Sequence, residues 1–511
     1  MTKKSALLLS ISISAALWAR PARAEPDAPA PSPPPSLAGF NDGFFLRDPG
    51  DNFRLYPRAR VNVDFNSFFG PGVADVATAD GGVGLTPRIF VRRLRFELAG
   101  DFLKRRVSFY TAVDFGGQPL TNVNGKAQQW AAAPGAVPSG TSARYAPVES
   151  VGATATLSDA WININVNSAL GFMVGQYQAP FSMENRTGEG LTPFMERNLP
   201  IRGFVVPTSK EVGITAWGEL GAGLFNYEVG VFGGDGQNRP QVDRRFDFMG
   251  RVFVRPLAPT RGPLAKAQIG ISARHGDRDP KGVEYDYPQI TSAQSYVFWD
   301  PTYRDSQKRL VHILPSGGQD AIGGELRLPV SRLDLRGEAY YVSNNTREAI
   351  DGYQLTNTER LGQLRGVGWY AQIGYWPAGD AYVSGDPGIT RPRSTDLSKP
   401  VEPLKMGFEV LAIVAGINAT YEGASRGGLA DSKTPGSAKN PADRITVYQY
   451  GIGMNYWATR FFRTTLNYMI YHTPGSGTAD NLAVAPGNLT ANPNTGAHVL
   501  HELGVRLAVQ F

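Results

Sequence analysis

Residues Pro87–Phe115 read PRIFVRRLRFELAGDFLKRRVSFYTAVDF, two alternating runs joined by a tight connection. In the first run Phe90, Leu94, Phe96 and Leu98 share one face, while Val91, Arg93, Arg95 and Glu97 share the other. In the second, Val107, Phe109, Thr111, Val113 and Phe115 alternate with Arg106, Ser108, Tyr110, Ala112 and Asp114. A period of two marks β-strands, whose successive side chains point to opposite faces. One face is apolar and the other is charged and rich in arginine. A soluble sandwich gives that pattern in a few strands. A membrane barrel gives it in all of them, because lipid meets one face and a wet lumen the other.

The pattern persists along the chain. Sixteen strand-like runs can be counted, at 53–66, 88–99, 105–116, 153–166, 170–178, 210–219, 223–233, 246–257, 265–275, 319–328, 332–342, 366–376, 405–415, 445–457, 461–472 and 498–511. The even number and the alternation of short with long connections predict an all-β, antiparallel transmembrane barrel. Pro377–Leu404 is the one connection that should be short and is not; we read it as an extended turn. The last run ends VRLAVQF, so Phe511 closes the alternation. A terminal aromatic there suits barrel-inserting machinery and lets the strand pair with the first one, leaving no open edge.

The 511 residues include 59 glycines and no cysteine, which removes disulfides and thiolate chemistry. Mean hydropathy is −0.24. That value does not exclude a membrane barrel, because alternation averages out over any window. Lys3 and Lys4, the apolar run Ala6–Leu17 and Ala22-Arg23-Ala24 predict a cleaved secretory signal peptide over 1–24. A proline-rich periplasmic segment follows over 25–50, and the barrel domain spans 51–511. Without residues 1–24 the chain holds 47 basic against 45 acidic residues. Any preference for anions must therefore come from where the arginines sit.

Several blocks, GFFLRDPGDNFRLYPRARVNVDFNSF, FVRRLRFELAG, LSDAWININ, VGQYQAPFSMEN and FMERNLP, resemble in kind and order the phosphate-selective porin O and P family of Gram-negative outer membranes. The resemblance runs from Gly43 to Phe511. It implies a sixteen-stranded homotrimeric channel with an arginine- and lysine-lined lumen, passing phosphate or polyphosphate, with no cofactor, no metal and no nucleic-acid partner. It also matches the Arg92-Arg93 pair to the family's paired arginines. The chain departs from the family at Val414-Ala415-Gly416, where an arginine is usual.

The polar faces supply the candidate pore-lining residues. Arg58, Arg60, Arg93, Arg95 and Arg106 cluster on the first three strands; Arg251, Arg255, Lys266 and Arg274 cluster on the eighth and ninth. Guanidinium stays charged and pairs with two phosphate oxygens at once. Arg92 is out of phase and is expected at lipid, near the rim or in a subunit interface. The third long loop, 179–209, is expected to form the constriction, with Glu184, Arg186, Glu189, Glu196, Arg197 and Arg202. Acidic residues on the same faces leave a second reading open, a mixed and weakly selective lumen. A closed structural barrel or a lipid-acting barrel enzyme is the reading from another class. The latter has little support: the five histidines are scattered, and His498 and His501 fall on opposite faces.

Overall fold

The computed structural model describes residues 37–41, 43–70, 87–116, 155–206, 209–279, 284–285, 287–294, 296–299, 301–304, 310–350, 361–388, 404–422, 443–474 and 499–511. The expected signal peptide, most of the proline-rich segment and the long connections 71–85, 117–152, 423–442 and 475–497 lie outside the described residues.

Sixteen antiparallel strands form the wall. They are β1 (Phe53–Phe69), β2 (Arg88–Phe102), β3 (Val107–Asp114), β4 (Thr156–Asn167), β5 (Leu170–Gln178), β6 (Lys210–Leu220), β7 (Phe225–Phe232) and β8 (Asp247–Val254). The rest are β9 (Gln268–Arg278), β10 (Leu310–Val330), β11 (Leu333–Ile350), β12 (Leu361–Gly379), β13 (Gly407–Glu422), β14 (Asp443–Thr459), β15 (Phe462–His472) and β16 (Val499–Gln510). Each pairs with the next, and β16 pairs with β1 through Val505 and Phe65, closing the ring. Phe511 extends that seam: its N–H and carbonyl both bond to Ala59, at 3.0 and 2.7 Å. Closure leaves no backbone edge unpaired, the condition for crossing a bilayer with strands. The alternation places Ile162, Ile214, Ile271, Ile322 and Ile452 outside, all more than half exposed, and buries Asn163, Thr215 and Ser272 beside the first three.

Two local departures from the period change what faces inward. Asn62 pairs with Arg93 and Val63 with Val91, so Arg92 is the extra residue of a bulge. A bulge sets two residues against one and resets the phase of the strand. Phe90 therefore turns inward and Val91 outward, the reverse of the sequence reading, and Arg92 joins Arg93 on the inside instead of facing lipid. A second bulge, between Ala112 and Val113 of β3, turns Ser158 and Asp159 inward together.

The interior is not uniformly wet. After β5 the chain bends into the barrel, and residues 179–206 cross it. Their backbone needs partners once out of water, and inward polar residues of distant strands supply them. Glu338 accepts from the N–H groups of Met183 and Glu184 at 2.9 and 2.8 Å. Asn467 accepts from Met195 N–H at 2.8 Å, and Asn455 and Arg463 donate to the carbonyls of Pro193 and Thr192. The far end of the loop carries Leu199, Ile201, Phe204 and Val205. It packs with Ile290, Phe298 and Trp299 of the connection after β9 on inward Ile413, Ile417, Ile445, Val447 and Tyr471. The assignment of every inward face to a polar lumen thus fails on β13–β15. Each such buried side chain contributes roughly 1.5–3 kcal/mol, which offsets the cost of ordering the loop, about 1–2 kcal/mol per residue.

Between β12 and β13, residues 380–388 are described and also enter the barrel; the rest of the connection read as an extended turn, 389–403, lies outside the described residues. Gly388 N–H donates to Thr187 Oγ1 at 2.9 Å, joining this turn to the in-folded loop from the opposite end.

Candidate functional site

The constriction is built where the in-folded loop meets β1, β2 and β16. Arg93 lies 3.2 Å from Glu189 and 3.4 Å from Glu196; Arg92 is 3.3 Å from Glu196. Arg95 is 2.9 Å from both Asp114 and Glu189. Arg506 of β16 sits between Asp64 at 2.6 Å and Glu196 at 2.7 Å. Burial alone would raise both loop carboxyls. The guanidiniums of Arg95 and Arg93 hold Glu189 well below the usual carboxylate range, and those of Arg92, Arg93 and Arg506 do the same for Glu196. This is a compact charge lattice, with each loop carboxylate shared by several arginines.

The other loop residues brace it. Arg186 bonds to Glu228 at 2.8 Å and to the Gln178 carbonyl at 2.6 Å. Arg197 donates to the Thr187 carbonyl at 2.7 Å. Arg202 donates to the carbonyls of Thr291 and Arg197. Glu184 is fully enclosed, accepts from Asn198 N–H, and has its carboxyl raised by that burial. Gly190 shows how tightly the loop meets the wall: a Cβ there would lie 2.7 Å from Gln510 Oε1 and 3.3 Å from Arg60 Nη2.

The second predicted cluster does not present free cations. Arg251 is 2.8 Å from Glu325 and donates to the Gly388 carbonyl; Arg274 is 2.8 Å from Asp247. Lys266 lies in a short helical turn rather than a strand, 3.0 Å from Asp386, and Arg255 follows β8 and bonds to Gln268. Arg106 is likewise corrected: it is exposed in the turn between β2 and β3, because β3 begins only at Val107.

Beneath the loop, toward the end of the barrel with the short turns, lies a cavity of about 770 Å³. Seven cationic side chains and five carboxylates line it. Arg58 is exposed to this space and has no ion pair among the described residues. Among the described residues Arg60 makes one ion pair, with Glu97 at 3.3 Å, and its Nε is buried without a partner. Two features escaped the sequence reading: the inward turn Val383–Asp386 at the cavity edge, and a row of inward aromatic side chains, Tyr56, Tyr110 and Trp161. Tyr56 and Tyr110 were already in phase with the polar faces of their strands, the signal that could have revealed the row.

A closed sixteen-stranded barrel with a lipid-facing wall, an in-folded loop and a charged passage is a porin, an outer-membrane channel and not an enzyme. The chain belongs to the phosphate-selective porin O and P family, whose model matches residues 61–492. Comparison with curated proteins returns no match. Among solved structures, it is similar to the outer membrane channel DcaP of Acinetobacter baumannii, at 13% identity and a TM-score of 0.45, covering 91% of this chain and 99% of that one. It is also similar to an anion-selective porin from Comamonas acidovorans, at 10% identity and a TM-score of 0.43, covering 90% and 100%. OmpT of Vibrio cholerae in a trimer form gives 8% identity and a TM-score of 0.45, covering 90% and 100%.

Proposed function

We propose that this porin is a passive diffusion channel favouring small anions such as phosphate or polyphosphate. The observation that carries the reading is Arg58, a permanent cation facing the cavity with no ion pair among the described residues, beside Arg60, which is paired with Glu97 alone. Cations placed along a pore favour anions, and weak sites allow release. The extensive pairing of Arg92, Arg93, Arg95, Arg251 and Arg274 favours a second reading, a mixed and weakly selective lumen. Reversal potentials in planar bilayers across chloride and phosphate gradients separate the two: anion preference in both supports the proposal, and no preference or cation preference defeats it. The proposal includes removal of residues 1–24 on export, residues 25–50 as a periplasmic segment, insertion by barrel-assembly machinery, a lipid-embedded outer wall and a homotrimer. Mass measurement of the mature chain and its native oligomer tests those parts.

A further inference from the structure

Tyr56 pairs with Ala99, Ala99 with Tyr110, and Tyr110 with Trp161, so one row of side chains crosses β1 to β4 at a single level. All four residues line the cavity. The Tyr110 and Trp161 rings stack at 5.6 Å and 26°, and Ala99 leaves room in front of them. Aromatic belts of membrane barrels lie on the outer wall at the bilayer interfaces; this row faces inward and lines the cavity. One two-residue step along β1, about 7 Å, brings Arg58 to the edge of the ledge. The acids at that level are occupied: Glu97 lies 3.3 Å from Arg60, and Asp159 lies 2.8 Å from Lys210. Arg58 stands opposite Glu97 in the β1–β2 register but makes no ion pair among the described residues, and is left to meet an incoming charge.

We propose that this ledge is a binding site for aromatic carboxylates, the ring lying on Tyr110 and Trp161 and the carboxylate meeting Arg58. The proposal deepens the anion-channel reading and rests on it. An inorganic anion uses only the guanidinium; a planar aromatic ring also gains the stacked faces, which prefer offset or edge contact with another aromatic ring over a saturated one.

The test is block of chloride current by carboxylates added at the short-turn side of the intact channel in planar bilayers. Benzoate, cyclohexanecarboxylate and acetate serve as probes, being aromatic, saturated and ring-free. Benzoate should reach half-block at a concentration about fivefold below that of cyclohexanecarboxylate. Trp161→Leu should abolish the difference and Trp161→Phe should keep it. Arg58→Ala should weaken block by all three probes while preserving their order, a result that does not depend on how the Trp161 variants assemble. Anion preference with equal block by benzoate and cyclohexanecarboxylate overturns the aromatic site alone. Cation preference in the same bilayers overturns the anion-channel reading and this proposal with it.

Discussion

The inner wall has two unlike regions. On β2 and β16 the loop meets the wall through ions: Arg92, Arg93, Arg95 and Arg506 share Glu189 and Glu196. On β13–β15 the same loop meets Ile413, Ile417, Ile445 and Val447 through Leu199, Ile201 and Phe204. The apolar region holds the loop without directing its charges. The ionic region sets the field beside the passage, and it costs desolvation that only shared, well-placed countercharges offset. The difference teaches that an inward arginine is not by itself an anion site. Arg251 is wholly committed to Glu325 and Gly388, whereas Arg58 has no ion pair among the described residues.

The largest expected effect comes from breaking the apolar region. Leu199→Asp places a carboxylate where the side chain is fully buried and should weaken docking of the loop by about 3 kcal/mol or more. Single-channel conductance should rise; an unchanged value would show that the apolar contact does not hold the loop.

Next is the ionic region. Glu196→Gln leaves Arg92, Arg93 and Arg506 short of one shared carboxylate and should cost about 3 kcal/mol of docking while raising anion preference. Its wild-type pH dependence has a definite sign. Both loop carboxyls are depressed on docking, so their contribution is present above the ordinary carboxylate value of about 4.3 and is lost as pH falls toward the depressed values. Conductance should hold from neutral pH down to about 4.3 and change only in stronger acid; a transition near neutrality would contradict the charge lattice.

A smaller effect is expected at Arg58. Arg58→Ala should lower the anion-to-cation permeability ratio about threefold, the size of one unit charge acting through water, with thermal stability unchanged. Arg251→Ala should instead destabilise the protein, because it strands Glu325. Equal effects on selectivity from the two substitutions would erase the distinction between free and committed arginines.

The smallest effect belongs to the connection after β9. Burial, with Asp235 and Asp243 nearby, pushes the Glu284 carboxyl up to about 8. A carboxyl raised on folding favours the packed loop while protonated, and that stability declines as pH rises from the ordinary value through about 8. Current noise should increase as pH rises toward about 8 and level off above it, and Glu284→Gln should remove the increase.

Much of this molecule follows from local pattern. A period of two, repeated with alternating short and long connections, determined the barrel, its strand number, its outward faces and the inward position of Arg58, Arg60, Arg93 and Arg95. Those features depend on neighbours in sequence and on the demand that lipid and water take opposite sides. Which arginines remain free was decided only in three dimensions. The bulge that turns Arg92 inward, the reach of Glu189 and Glu196 onto β2, and the inward turn at Asp386 join residues far apart in the chain. A guanidinium has the same charge whether it faces water or a carboxylate, so its letter in the sequence is silent on the partner that the closed barrel brings to it.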